Sequence, residues 1–185
     1  MPDREVVKRF TAVPEFRMRP IDTARLTLEP LVVAHAEAMF SVLSDPAIYQ
    51  YENEPPPSLE WLRKRYARLE TRQSEDGGQR WLNWVIRLPT SGLIGYVQAT
   101  LYLDGRAAIA YELSSAFWGR GFAHEAVAAM IAELVEHYQV QSLAAVLRQE
   151  NQRSLRLLER LGFSPAPPGS PIELEPGELL MRYLP

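Results

Sequence analysis

Two glycines lie where a predicted strand passes into a long predicted helix, within residues 109–126 (IAYELSSAFWGRGFAHEA). Glycines at such a junction let backbone N–H groups approach an anion closely, and the helix N-terminus adds about half a positive charge. The pattern therefore indicates a phosphate-binding loop around Gly119 and Gly121, although a tight turn that needs glycine only for its geometry accounts for it equally well. The dinucleotide fingerprint is excluded, because its third glycine position is occupied by His124.

Side chains that support other chemistries are few. The chain has no cysteine, which excludes a disulfide scaffold, a thiol nucleophile and a cysteine-ligated metal. Its three histidines, His35, His124 and His137, lack the spacing of metal ligands on one helix, so we predict no metal site. The formal net charge of −3 argues against general nucleic-acid affinity. No apolar stretch approaches the roughly 20 residues that span a bilayer, and no export signal is evident, so we expect a cytoplasmic protein.

The elements around the glycine loop fit a single domain, since the chain has 185 residues. Residues 1–20 are polar and end in proline, which predicts a loosely held arm before a domain over residues 21–185. Apolar spacing predicts strands at 24–30, 81–88, 93–103, 107–113, 142–147 and 178–184, and helices at 33–43, 122–138 and 151–161. A further helix is predicted after the cap Ser58, with an apolar stripe from Leu59 to Leu69, and the run EDGG at 75–78 should end it. Asp104 and Gly105 predict a two-residue hairpin turn. A meander followed by a helical crossover predicts a mixed α/β fold on one sheet.

The glycine loop resembles the acyl-coenzyme A loop of the GCN5-related N-acetyltransferase (GNAT) family, whose pattern is Gln or Arg, two residues, Gly, one residue, then Gly or Ala. Residues 118–123 (WGRGFA) match at Gly121 and Ala123 and depart at Trp118. This variant, the block NQRSLRLLERLGF from residue 151 and the opening IDTARLTLEPL from residue 21 are similar to the RimJ/RimL-type branch. The resemblance covers residues 21–183 and implies a mostly antiparallel central sheet flanked by helices.

The resemblance also implies a bound acetyl-CoA. Backbone N–H groups of residues 119–123 would hold its pyrophosphate, and the backbone of residues 112–114 would pair with its pantetheine arm between two splayed strands. Asn151 would bond the arm, while Arg120 either adds charge near the phosphates or is a solvated loop residue. The predicted cofactor-binding residues are Leu113, Ser114, Trp118, Gly119, Arg120, Gly121, Phe122, Ala123 and Asn151.

The implied reaction is direct attack of a primary amine on the thioester, which requires a base for the amine and an acid for the leaving thiolate. Many relatives use a tyrosine acid, and the matching residue here is Leu158. In the RimJ/RimL-like branch a serine takes this role, and Ser154 matches it; alternatively, Ser154 is only a first-turn helix residue.

The base is less well defined by the sequence. The strand glutamate of many relatives corresponds here to Ala108. Glu112 lies four residues further along the same strand face and could act through a water molecule. Glu173 or Glu175 in the late proline-rich loop is the alternative, and a solvated surface role is open for each of these glutamates.

The acceptor would meet the cleft between the loop joining the first two helices and the late loop. Their aromatic and acidic residues suit a cationic amine: Tyr49, Tyr51, Glu52, Glu54, Glu173, Glu175 and Glu178. Because no strong base is evident, we expect a protein N-terminus or a small amine of low pKa, rather than lysine or a polyamine. A homodimer is an open alternative. So is a CoA-binding domain with weak catalysis and a regulatory or assembly role, which Leu158 and Ala108 favour.

Overall fold

The computed structural model describes residues 17–51, 53–167 and 172–185. Within them, eight strands form one sheet and four α-helices cover its two faces. The strands are β1 (Ile21–Asp22), β2 (Thr27–Pro30), β3 (Gln79–Leu88), β4 (Gly92–Tyr102), β5 (Arg106–Leu113), β6 (Ser142–Arg148), β7 (Ser164–Pro165) and β8 (Glu178–Tyr183). The helices are α1 (Ala36–Leu43), α2 (Leu59–Glu70), α3 (Phe122–Glu136) and α4 (Gln152–Arg160).

The sheet order is β1-β2-β3-β4-β5-β6-β8-β7, and every neighbouring pair is antiparallel except β5 and β6. A parallel pair needs a crossover connection, which α3 provides. The mixed α/β class and the mostly antiparallel sheet predicted from the sequence are therefore confirmed. None of the described helices is long and apolar enough to cross a membrane.

Each face of the sheet has its own buried core. The larger core lies under α3 and α4 and includes Trp84, Val97 and Met130, all fully buried. The smaller core lies under α1 and α2 and includes Met39 and Val85. Successive strand residues alternate between these two faces, so the position of each side chain along β5 decides which core it joins.

Capping residues predicted from the sequence begin two helices. The Ser58 hydroxyl accepts a hydrogen bond from Trp61 N at 3.1 Å, and Asn151 Oδ1 accepts one from Ser154 N at 3.1 Å. Each satisfies one of the N–H groups that a helix leaves unpaired in its first turn. These local signals place the starts of α2 and α4 correctly.

Two local predictions need correction. The turn between β4 and β5 has three residues, 103–105, rather than two, because Gly105 adopts a left-handed conformation with φ +82°. The proline-rich loop contributes β7, a strand of two residues that pairs with β8. Pro165 has no N–H group to donate, which is tolerated because β7 lies at the outer edge of the sheet.

The last residues of the predicted N-terminal arm lie against the domain. Met18 is buried in the larger core, and the Arg19 guanidinium pairs with Glu133 of α3 at 2.7 Å. The Trp84 indole donates to the Arg19 carbonyl at 3.1 Å. Residues 17–20 are thus held in place, whereas residues 1–16 lie outside the described part of the chain.

Candidate active site

A cleft opens where β5 and β6 diverge. The two strands pair only from Arg106 with Ser142 to Ala108 with Ala144, after which both continue without pairing to each other. The resulting cleft has a volume of about 620 Å³ and receives side chains from both faces of the sheet. The cleft therefore has two ends, one on the α3/α4 side of the sheet and one on the α1/α2 side.

The glycine loop forms one wall of this cleft. Gly119 and Gly121 both have positive φ angles, +71° and +79°, and Gly121 is the N-cap of α3. A Cβ atom at Gly119 would meet no atom within 4 Å, so space remains open beside the loop backbone. Phe122 and Ala123, at the first turn of α3, also line the cleft. The structure thus brings the N-terminus of a 15-residue helix to the cleft, as an anion-binding loop requires.

Trp118 joins this loop to the end of β5. Its indole N–H donates to the Leu113 carbonyl at 2.9 Å, and the Arg153 guanidinium carbon lies 3.6 Å from the centre of its ring. The tryptophan therefore fixes the distance between strand and loop, at the position where the family pattern has glutamine or arginine.

The backbone of β5 offers hydrogen-bonding groups to the cleft at alternate residues. Ser114 N donates to the Ile94 carbonyl at 3.0 Å, so the backbone of Ser114, and by alternation that of Glu112, faces β4. By the same alternation, the backbone N–H and C=O groups of Tyr111 and Leu113 point away from β4, toward the cleft. The prediction for Ser114 is therefore corrected, since its backbone N–H is used by β4 and the residue does not line the cleft.

Arg120 also lies away from the cleft. Its guanidinium carbon stacks 5.0 Å from the centre of the Phe122 ring, and its carbonyl accepts a hydrogen bond from Arg25 at 3.0 Å. Arg25 is in turn held by Glu125 of α3 at 2.6 Å. Sequence reasoning missed Arg25, because 100 residues separate it from Glu125 and no local pattern links them.

Ser154 lies on the α3/α4 side of the cleft, in the first turn of α4. Its hydroxyl oxygen is 2.6 Å from the Tyr111 hydroxyl oxygen. Asn151, which caps the helix through the Ser154 N–H, lines the cleft beside it. Leu158, at the position of the family tyrosine, is 1% exposed and belongs to the larger core. Tyr111 was not predicted as a site residue, since its contact with Ser154 spans 43 positions.

Glu112 lies on the α1/α2 side, because it follows Tyr111 on the strand. Its cross-strand neighbour on β4 is Tyr96, whose hydroxyl donates a hydrogen bond to the Glu112 carboxylate. Burial, followed by the Glu112 charge, raises the pKa of Tyr96 well above its ordinary value, so Tyr96 stays protonated and remains a donor.

Two further tyrosines line the same end of the cleft. Burial and the Glu112 charge raise the pKa of Tyr49, whose hydroxyl donates to the Leu43 carbonyl at 2.8 Å. Burial likewise raises the pKa of Tyr66, whose buried hydroxyl has no hydrogen-bond partner among the described residues. Tyr51 and Glu54 also line the cleft, whereas Glu52 lies outside the described residues.

The described late loop does not reach the cleft. Glu173 is exposed, the Glu175 carboxylate pairs with Arg148 at 2.9 Å, and Glu178 accepts a hydrogen bond from the Glu175 N–H. None of these three residues lines the cleft. The structure therefore does not bring the late-loop glutamates to the acceptor side, and Glu112 is the predicted base that it places there.

Comparison with known proteins agrees with this geometry. The model of the acetyltransferase (GNAT) domain family matches residues 25–164. The chain is 29% identical over 149 residues to the uncharacterized N-acetyltransferase p20 of Bacillus licheniformis, covering 79% of this chain and 83% of that protein. It is 27% identical over 146 residues to the uncharacterized N-acetyltransferase YoaA of Bacillus subtilis (strain 168), covering 77% and 81%.

Solved structures show the same fold. The ribosomal L7/L12 α-N-protein acetyltransferase RimL, in complex with coenzyme A, aligns with a TM-score of 0.76 at 17% identity, covering 90% of this chain and 98% of that one. The ribosomal-protein-S5-alanine acetyltransferase from Vibrio fischeri aligns with a TM-score of 0.74 at 16% identity, covering 90% and 97%.

Proposed function

The chain belongs to the acetyltransferase (GNAT) domain family, and from that premise we propose that it transfers the acetyl group of acetyl-CoA to the nitrogen of a primary amine. The observation that carries the proposal is the cleft between the diverging strands β5 and β6, with the glycine loop at its wall. This arrangement supplies a segment of β5 that does not pair with β6, beside which an extended arm can lie, and helix N–H groups for a pyrophosphate.

The residues present fit acetyl-CoA as the acetyl donor. The open space beside Gly119 leaves room for a pyrophosphate against the loop backbone, whose N–H groups would donate to it. The backbone groups of Tyr111 and Leu113 would pair with the pantetheine arm. Three exposed arginines of α4 line the cleft and add positive charge toward an anionic donor: Arg153, Arg156 and Arg160.

We assign the acid and the base to opposite faces of β5. An amine that enters from the α1/α2 side forms its N–C bond to the thioester carbonyl carbon, while the C–S bond breaks. Glu112 takes the proton that the nitrogen releases, directly or through a water molecule, and the Ser154 hydroxyl gives a proton to the leaving thiolate. Exchange with solvent then removes the proton from Glu112 and returns one to Ser154, so both groups regain their starting states. Tyr111 is a positioning residue that orients the Ser154 hydroxyl. The products are an amide and the free thiol of coenzyme A.

The weak basicity of a carboxylate limits which amines can react. An α-amino group has a pKa of about 7.7–8.0 and is partly neutral at pH 7, whereas a lysine side chain has a pKa near 10.4. Deprotonating the latter requires about 3 kcal/mol more at that pH. The acceptor is therefore an α-amine or another amine of low pKa, as found at a protein N-terminus or in a small molecule.

The experiment measures thiol release from acetyl-CoA at pH 7 over a panel of amines, beside calorimetric binding of coenzyme A. We expect release with a peptide N-terminus or an amino acid, and little release with spermidine or an α-blocked lysine. Binding without release on any amine would favour a CoA-binding domain with a regulatory or assembly role. Strong preference for the high-pKa amines would contradict the assignment of Glu112 as the base.

A further inference from the structure

The acceptor end of the cleft, on the α1/α2 side of the sheet, is mainly apolar and aromatic. Its wall combines side chains of the smaller core with the tyrosines around Glu112: Leu31, Leu43, Leu62, Tyr49, Tyr66 and Tyr96. The three leucines are almost fully buried, so the surface that a bound molecule can contact here is that of the partly exposed Tyr49, Tyr51 and Trp61. A molecule that covers these rings exchanges water for apolar contact.

Few charged side chains are found among the described residues of this end. Glu112 lies at the sheet and Glu54 on the exposed loop before α2. Arg65 of α2 lines the same end, and its guanidinium carbon lies 5.5 Å from the centre of the Trp61 ring. A second positive charge on an acceptor that contacts this ring would therefore meet Arg65.

We propose that the acceptor is a monocationic amine whose nitrogen is attached to an apolar body, with the nitrogen at Glu112 and the apolar body against the rings of Tyr49, Tyr51 and Trp61. A free α-amine on a residue with an aliphatic or aromatic side chain has this chemistry. The inference rests on the proposed function, because it names the substrate class of the same site. Charge complementarity with Glu112 selects the amine, and the aromatic side chains select what the amine carries.

The test uses α-amino amides, whose reacting amines are of one kind and differ in the side chain. Rates of acetyl-CoA-dependent thiol release are compared as kcat/KM for leucinamide, glycinamide and lysinamide. Burial of a leucine side chain predicts that leucinamide exceeds glycinamide by about 10- to 100-fold. Lysinamide, which has a similar length and a second positive charge, should not exceed glycinamide. Equal values for leucinamide and glycinamide, or the highest value for lysinamide, would overturn the inference.

A charge reversal isolates the contribution of Arg65. In Arg65→Glu, the ratio of kcat/KM for lysinamide to that for leucinamide should rise at least tenfold. Arg63→Glu is the matched control, because Arg63 is exposed on the same helix and does not line the cleft. An unchanged ratio in Arg65→Glu, or an equal rise in Arg63→Glu, would refute the role of Arg65.

The measurements distinguish a failure of acetyl transfer from a failure of the acceptor class. If coenzyme A binds and none of the amides or other amines is acetylated, the proposed function fails, and the acceptor class falls with it. If the wild-type protein acetylates the amides without preferring leucinamide, acetyl transfer stands and the apolar acceptor class is refuted.

Discussion

Gly95→Ala tests whether the close contact between β4 and β5 sets the geometry of the site. Gly95 is buried opposite Leu113, next to an irregularity of the ladder where Ile86 pairs with Gly95 and Arg87 with Leu93. A Cβ atom at this position would lie 2.2 Å from the Glu112 carbonyl oxygen and 2.9 Å from Leu113 Cα. Both are backbone atoms, so no side-chain rotation can relieve the clash.

The displacement follows from these distances. An ordinary contact begins near 3.4 Å, so the backbone at Glu112 must move by about 1.2 Å. Overpacking of this kind costs about 1–3 kcal/mol of unfolding free energy. A shift of about 1 Å in a positioned group can lower the rate roughly 100-fold. We therefore expect a folded, moderately destabilised variant whose kcat is reduced by about that factor.

Urea unfolding and steady-state thiol release measure the two effects, and Gly78→Ala is the matched control. A Cβ atom at Gly78 would meet only the end of the Asp76 side chain, at 3.3 Å, which can move away. Wild-type stability together with wild-type kcat in Gly95→Ala would refute the reasoning. So would equal losses in Gly78→Ala.

Three further predictions concern the loop, the acid and a carboxylate. Gly121→Asp should weaken coenzyme A binding at least tenfold in calorimetry, whereas Gly92→Asp, at a glycine of positive φ outside the cleft, should not. Ser154→Ala should lower kcat at least tenfold with coenzyme A affinity near normal, as expected for a lost general acid; wild-type turnover would remove Ser154 from the mechanism. Burial raises the pKa of Asp45, but hydrogen bonds, chiefly those from Ser115, outweigh it and hold the pKa below its ordinary value of 3.8. The ionised carboxylate therefore stabilises the fold above pH 3.8, and this stabilisation is lost as the pH falls through the lowered pKa. Asp45→Asn should therefore lower the free energy of unfolding, measured with urea, by about 1–2 kcal/mol at pH 7 and by less at pH 3. An equal loss at both pH values would contradict this.

Much of the fold was predictable because its signals are local. The helix caps and the glycine loop each depend on residues within a few positions of one another. The identity of the family followed in the same way, since residues 118–123 and 151–163 are short contiguous motifs. Most strand and helix ends differ from the predicted ones by one or two residues. The strand predicted from residue 24 begins three residues later, at Thr27, and the helix predicted from residue 33 begins three residues later, at Ala36, because the 3₁₀ segment Val33–His35 precedes it.

The contacts within the site were not predictable in the same way. A two-residue turn at Asp104 and Gly105 would pair Glu112 with Val97, whereas the observed three-residue turn pairs it with Tyr96. A change of one residue in register moves the facing side chain to the other side of the sheet. The tyrosine that binds Glu112 therefore depends on the turn conformation, which the dipeptide alone does not determine.

The two outer edges of the sheet are short. In the described part of the chain, β1 and β7 have two residues each, and β7 ends in proline. Short or proline-containing edge strands offer few free backbone groups to another chain, and thereby hinder aggregation by edge-to-edge pairing. The segment of β5 that does not pair with β6, by contrast, lies inside the sheet, where a globular neighbour cannot approach it. The molecule can thus keep a strand edge available for a narrow, extended ligand without exposing that edge to other proteins.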